Sequence, residues 1–230
     1  MLTICRSTKG GSGTSTVTAG LAATTGLRTI TARRSRTSVL VVDLLDDLPA
    51  IFGLAAPLEG LAEWSTRSTD RDFFDLCLDC GHGVQLMPRG TGPLPDPTSN
   101  LWSRLTGVLE QQVTAGNDVF VDLGTHRIPD RLECRLATIP TRSLLVIRPC
   151  YLALRRAAEC REAFDGIVLV TGGERVLGTR DVEDVLGVPV VCEVPLDPDV
   201  ARRVDSGLFN SRLPTSLVTA LDGLVVPATS

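Results

Sequence analysis

The chain has 230 residues, of which 43% are apolar, 4% aromatic and 22% charged, with a net charge of −4. That length suits one domain burying roughly 70–75% of its unfolded surface, and so few aromatics make the core a matter of aliphatic packing. The acidic balance argues against nucleic acid as the main partner, and no apolar run approaches the ~20 residues of a membrane span.

The first strand is expected at Leu2-Thr3-Ile4-Cys5, directly after Met1, a start that predicts no leader segment and a cytoplasmic protein. It runs into Lys9-Gly10-Gly11-Ser12-Gly13-Thr14-Ser15-Thr16, and Val17 to Ala23 then reads as a helix. Strand, glycine loop and helix in that order form the setting of a phosphate-binding loop. Glycines let successive backbone N–H groups point into one concavity, and the helix adds its unpaired N–H groups and the positive end of its dipole. Ser15 stands where a hydroxyl would hold Mg²⁺. The position after Gly13, where a phosphate lysine belongs, is Thr14. Lys9 is the only lysine in the chain, against 22 arginines. A compact ammonium differs physically from a planar fork, so its placement here carries weight.

Arg28, Arg33, Arg34 and Arg36 make the next connector basic, a solvated loop by composition. Ser38 to Asp43 is a continuous apolar run ending in an acid, the mark of a strand buried on both faces. A short helical stretch before Leu54 and another over Leu58–Trp64 follow, with a helical start to Asp70–Cys80. Cys77-Leu78-Asp79-Cys80 with His82 imitates half a zinc site. The only other histidine is His126 and no second Cys-x-x-Cys exists to complete it, so most of the seven cysteines read as small buried hydrophobes.

Gly83–Met87 reads as a strand. Gly90 to Asn100, with Pro93, Pro95 and Pro97, is a surface loop and the best candidate for mobility. Ser99 or Asn100 is placed to cap a helix through Leu101, Leu105, Val108, Leu109 and Val113, stopped by Gly116-Asn117. Asp118–Asp122 is the second apolar strand to end in an acid. Strands over 143–147 and 166–170, helices over 151–164 and 179–186, a last strand over 188–194 and two terminal helices complete the chain. Strands alternating with helices predict an α/β fold, a doubly wound, mostly parallel sheet with helices on both faces, in a single domain over residues 1–230. Ligands of such sheets bind beyond the carboxyl ends of the strands, where the loop, Asp43 and Asp122 all fall.

Lys-Gly-Gly-x-Gly-x-[Ser/Thr] resembles the deviant Walker A loop of the ParA/MinD ATPases, in which a signature lysine stands near the start and a second lysine follows the last glycine. This chain keeps the first as Lys9 and has Thr14 for the second. The resemblance extends over 38–43, 118–124 and 188–207, nearly the whole chain. It implies nucleotide contacts from Gly10, Gly11, Ser12, Gly13, Thr14, Ser15 and Thr16, and a metal site from Ser15, Asp43 and Asp122. Catalysis would fall to Lys9 and Asp43. At the adenine end Thr171 stands where the family has asparagine, while Val194-Pro195-Leu196-Asp197 matches its second element through Pro195.

The family's switch I reads Asp-x-Asp, its second acid positioning the attacking water; here the triplet is Asp43-Leu44-Leu45. Leucine neither accepts a proton nor orients water, and Asp46 or Asp47 would substitute only through an altered loop. A cation and an acid are thus lost at separate places, and each such loss typically costs orders of magnitude in rate. The resemblance therefore implies a pseudo-ATPase of spatial organisation (septum, pilus, flagellum, chromosome or plasmid positioning) that binds ATP or ADP with Mg²⁺ weakly or not at all. Two alternatives stay open: an active ATPase with shifted catalytic groups, and a purely structural dimerisation or docking partner of an active homologue. Implied partners are a second copy or a related ATPase, and proteins of a positioning or assembly system. Nucleic acid is not expected. The Pro214–Val226 segment lacks basic residues, which favours packing on the core over a membrane surface. Arg155, Arg156 and Arg161 read as a solvated face.

Overall fold

The computed structural model describes residues 1–32, 38–66, 73–96, 98–125, 139, 141–160, 163–173 and 177–225. Arg33, Arg34, Arg36, Asp70, His126, Cys134 and Arg161 lie outside them. The strands are β1 (Leu2–Arg6), β2 (Val39–Asp43), β3 (Leu78–Asp79), β4 (Val84–Met87), β5 (Asp118–Gly124), β6 (Thr141–Ile147), β7 (Gly166–Thr171) and β8 (Val190–Pro195). The helices are α1 (Thr14–Thr31), α2 (Leu48–Ile51), α3 (Leu61–Thr66), α4 (Asn100–Thr114), α5 (Tyr151–Ala158), α6 (Thr179–Leu186), α7 (Pro198–Asp205) and α8 (Thr215–Leu221).

One sheet takes all eight strands in the order β3-β4-β2-β5-β1-β6-β7-β8. Every pairing is parallel except β3 with β4. The apolar runs explain the layering. Successive side chains of a strand leave opposite faces, so a continuous run must be covered twice. On β2, Val39 and Val41 join the core under α1, α2 and α8, while Leu40 and Val42 join the one under α3 and α4. On β6, Leu144 and Val146 face the α1 side, while Leu145 and Ile147 face Ala153, Leu154 and Ala157 of α5. The predicted doubly wound sheet is the fold observed.

Capping sets several helix limits. Ser99 accepts from Leu101 N at 3.2 Å and starts α4 at Asn100, as its spacing predicts. The helix read from Leu58 begins only at Leu61. The reason is Glu63, whose Oε2 takes the Gly60 N–H at 2.9 Å and fixes the helix entry there. The other oxygen of Glu63 takes Thr91 N, Thr91 Oγ1 and Gly92 N at 3.1, 3.0 and 2.7 Å. One carboxylate thus pins the start of the 90–100 loop that composition marks as mobile. At the other end of the chain, Leu217 and Leu221 of α8 are buried against the α1 face, and Arg28 of α1 pairs with Asp222 and donates to Val225 O at 3.1 Å. Among the described residues no helix is long and apolar enough to cross a membrane.

Candidate functional site

Between β1 and α1 the chain turns through residues 7–13. Ser7 and Ser12 both donate their hydroxyls to the Lys9 carbonyl, at 3.0 and 2.8 Å, closing the turn on itself. Gly11 and Gly13 sit at φ of 76° and 91°, in the left-handed region that a side chain disfavours. Gly13 is the residue that caps α1, so it offers no side chain to the helix amides, and no acid stands in the first turn. The unpaired N–H groups of an 18-residue helix therefore face the loop's concavity. Lys9 is half-buried, and among the described residues its ammonium makes no ion pair.

The two strand-end acids are brought to this loop by the sheet itself. Asp43 of β2 and Asp122 of β5 are direct partners in the parallel ladder, and Asp122 pairs in turn with Cys5 of β1, two residues before the loop opens. Both acids are fully buried. Their carboxylates are used differently. Asp43 Oδ1 accepts from Leu45 N and Asp46 N at 2.8 and 3.0 Å, and Oδ2 from Leu48 N at 2.9 Å. Both of its oxygens hold the 44–48 turn. Asp122 Oδ1 accepts from Gly124 N at 3.2 Å, whereas Oδ2 is buried with no hydrogen-bond partner.

The turn that Asp43 holds has an unusual consequence. Asp46 takes φ 77°, rare for a residue with a side chain, and this swings the chain so that Asp47 comes back to the loop. Ser15 Oγ donates to Asp47 Oδ2 at 3.3 Å. Of Asp46 and Asp47, the two acids offered as substitutes for the one missing at Leu45, Asp47 is the one at the glycine loop. Leu45 lies on Gly124 instead: a Cβ at Gly124, itself at φ 51°, would stand 2.1 Å from Leu45 Cδ1. The side chain standing where the resemblance implies a second acid thus covers the backbone after Asp122 with hydrocarbon.

Burial dominates the electrostatics. It pushes the Asp122 carboxyl up to about 7, against the Ser15 hydroxyl, with the charges of Asp43 and Asp47 adding to the rise. Asp43 is also raised by burial, three backbone N–H bonds acting in the opposite sense. Cys5 beside them is a neutral thiol, pushed up to about 12 by burial, which suits a small core hydrophobe rather than a nucleophile. An orphaned, buried Asp122 oxygen within reach of Ser15 and near Asp47 is what a hard cation would relieve. Among the described residues no three or more His, Cys, Asp or Glu converge as a metal cage. The donors present suit Mg²⁺, which commonly takes one or two protein oxygens and completes its shell with phosphate and water. Ser15 and Asp122 are the residues that would hold it.

A cavity of about 270 Å³ continues from the loop, walled by Gly13, Thr16, Val170, Val194, Pro195 and Val200 among others. It is apolar along β7, β8 and α7, and its loop end lies at the α1 N-terminus. Pro195 lines it. Thr171 pairs with Pro195 across the β7–β8 ladder, and its carbonyl is taken by Leu196 N at 2.6 Å, but it is not part of the cavity wall. Arg148, which sequence reasoning passed over, is. A single arginine after a strand carries no motif, and only the sheet order, β6 beside β1, reveals where it goes.

No family model and no curated protein matches this sequence. Solved structures do. A ParA family ATPase from Chlorobium tepidum aligns with a TM-score of 0.73 at 20% identity, over 96% of this chain and 95% of its own. The septum site-determining protein MinD of Pyrococcus horikoshii, complexed with Mg-ADP, aligns with a TM-score of 0.69 at 19% identity, over 97% and 93%. The MinC:MinD cell division protein complex of Aquifex aeolicus aligns with a TM-score of 0.69 at 16% identity, over 100% of this chain and 98% of that one.

Proposed function

The chain has the ParA/MinD-type P-loop fold, and from that premise we propose that it is a cytoplasmic, degenerate member of this group of positioning ATPases. In this reading it binds a nucleotide weakly, through the loop and the apolar cavity, without turning it over. The observation that carries the reading is the split between cradle and chemistry. The cradle is intact: Gly11 and Gly13 have the required backbone, the α1 amides are uncapped, and Ser15 stands beside an unpartnered Asp122 oxygen. The groups for hydrolysis are not matched. Thr14 brings no charge, Asp43 has both oxygens engaged by the 44–48 backbone, and Leu45 brings hydrocarbon where a water-orienting acid belongs. Mg²⁺, when bound, would neutralise phosphate charge; Ser15 and Asp122 would hold it, and the loop amides would hold the phosphates.

Titration of the full chain with fluorescent ATP and ADP tests this reading. Binding in the high-micromolar range or weaker is expected, improved by Mg²⁺ and lost in Ser15→Ala. Equal signal in Ser15→Ala and in the native protein would count against a loop-centred site.

The alternative with shifted catalytic groups rests on one observation, Asp47 at 3.3 Å from Ser15 Oγ. That hydrogen bond ties Asp47 to the metal-binding hydroxyl, leaving the pseudo-ATPase reading the better supported.

Self-association is the second part of the proposal. Lys9 has no ionic partner among the described residues, and the carboxyl edge of the sheet around it exposes Tyr151, Leu152 and Leu196. A face-to-face pair would cover those side chains and give each Lys9 a phosphate or carboxylate across the interface. The Aquifex aeolicus MinC:MinD complex, a neighbour of this fold, pairs with an unlike partner, which supports a related protein as the alternative partner. Sedimentation velocity at rising concentration should show a monomer–dimer equilibrium that Tyr151→Glu shifts to monomer. A single monomeric species throughout, with and without ATP, would refute it.

A further inference from the structure

We infer that Arg148 is a phosphate-binding residue of the nucleotide pocket, an in-cis cation standing in for the loop lysine that Thr14 replaces. The inference rests on the reading of that cavity as a nucleotide site and adds to it a residue that the family resemblance does not supply.

Arg148 follows the last residue of β6, and β6 lies directly beside β1. The end of β6 therefore opens next to the glycine loop, and Arg148 lines the same cavity as Gly13 and Thr16. Its Nε is buried and has no hydrogen-bond partner, and among the described residues no carboxylate pairs with the guanidinium. The acids that share the cavity do not supply the missing partner. Asp197 is occupied, accepting from Ser216 Oγ at 2.6 Å and Asp199 N at 2.8 Å, and Asp205 lies exposed at the rim.

Two positive features thus face one cavity, the uncapped N-terminus of α1 and an uncompensated guanidinium. Such an arrangement is unfavourable until an anion enters, because each repels the other and Arg148 leaves a buried donor unsatisfied. The remaining wall of Val170, Val194, Pro195 and Val200 is apolar. A ligand that satisfies both ends is anionic at one end and flat and apolar at the other, the description of a nucleoside di- or triphosphate. A guanidinium also suits phosphate as a planar, bidentate donor.

The test compares ATP with adenosine by isothermal titration, in the native protein, Arg148→Ala and Arg148→Gln, with thermal melts confirming that each variant is folded. Glutamine keeps most of the stem and removes the charge, separating lost charge from lost packing. Both variants should bind ATP at least tenfold more weakly while adenosine affinity changes less than twofold. Thr14→Lys added to Arg148→Gln should recover most of the loss, since the charge returns from the other side of the loop. Unchanged ATP affinity in both variants would overturn the role of Arg148 while leaving the pocket reading intact. An equal loss for adenosine would also overturn it, placing the residue at the base or the wall. A native protein that binds neither ligand would remove the pocket reading itself, and the inference with it.

Discussion

Asp122→Asn should stabilise the ligand-free protein, by on the order of 2 kcal/mol, and abolish the response of its melting temperature to Mg²⁺ and nucleotide. The cause is burial of the carboxylate, one of whose oxygens has no hydrogen-bond partner. Burial raises the folded-state pKa of Asp122 from 3.8 to about 7. Between those values the folded chain holds a proton that the unfolded chain releases. Stability from this group therefore falls as pH rises through that window and is lowest above pH 7, the reverse of a salt-bridged carboxylate. Asparagine removes the titration, so the variant should show a flatter stability profile between about pH 4 and 7 and a melting temperature several degrees higher near neutrality. A carboxylate kept at such a cost fits one that a cation neutralises. An unchanged or lowered melting temperature at pH 7.5, with the same pH profile as the native protein, would mean that Asp122 is satisfied in solution.

Thr14→Lys is the substitution with the largest expected effect on binding, a gain of ten- to a hundredfold in ATP affinity. Thr14 is the first residue of α1, on the same turn as Ser15, and its side chain is buried at the loop. A lysine there returns a point charge to the phosphates, and a charge-assisted hydrogen bond contributes about 1.5–3 kcal/mol. Turnover should stay at background in this single variant, because the position of Leu45 still lacks an acid. Hydrolysis is expected only when Leu45→Asp is added, and that substitution strips hydrocarbon from Gly124 and crowds a third carboxylate toward Asp43 and Asp122. A double variant with tighter binding and slow turnover matches this arithmetic. Vigorous turnover in Thr14→Lys alone would show that the 44–48 turn already carries a competent acid, Asp47 being the one in reach.

The fold was legible because its strands are short apolar runs, and two of them end in acids that parallel pairing then sets side by side. Asp43 and Asp122 needed no more than that: both finish a strand, and the ladder matches them residue to residue. The glycine loop was legible for the same kind of reason, since positive φ at Gly11 and Gly13 has a residue type that accommodates it. What sequence could not give are side chains placed by backbone that has no such marker. Asp46 adopts φ 77° without being glycine, and only that bend explains why Asp47, not Asp46, reaches Ser15. Glu63 holding Thr91 and Gly92 depends on contacts 28 and 29 residues apart that no periodicity encodes. The two-residue β3, paired antiparallel with β4, is too short to show alternation. Arg148 is one of 22 arginines until β6 is seen to lie against β1.

The measurement that bears most directly on the central claim is steady-state phosphate release by the native protein at millimolar Mg²⁺-ATP, run at several protein concentrations so that any dimer is populated. Release indistinguishable from that of Ser15→Ala and of buffer is expected, alongside measurable, Mg²⁺-dependent nucleotide binding in the same preparation. Steady release that scales with protein and disappears in both Ser15→Ala and Asp122→Ala would contradict it.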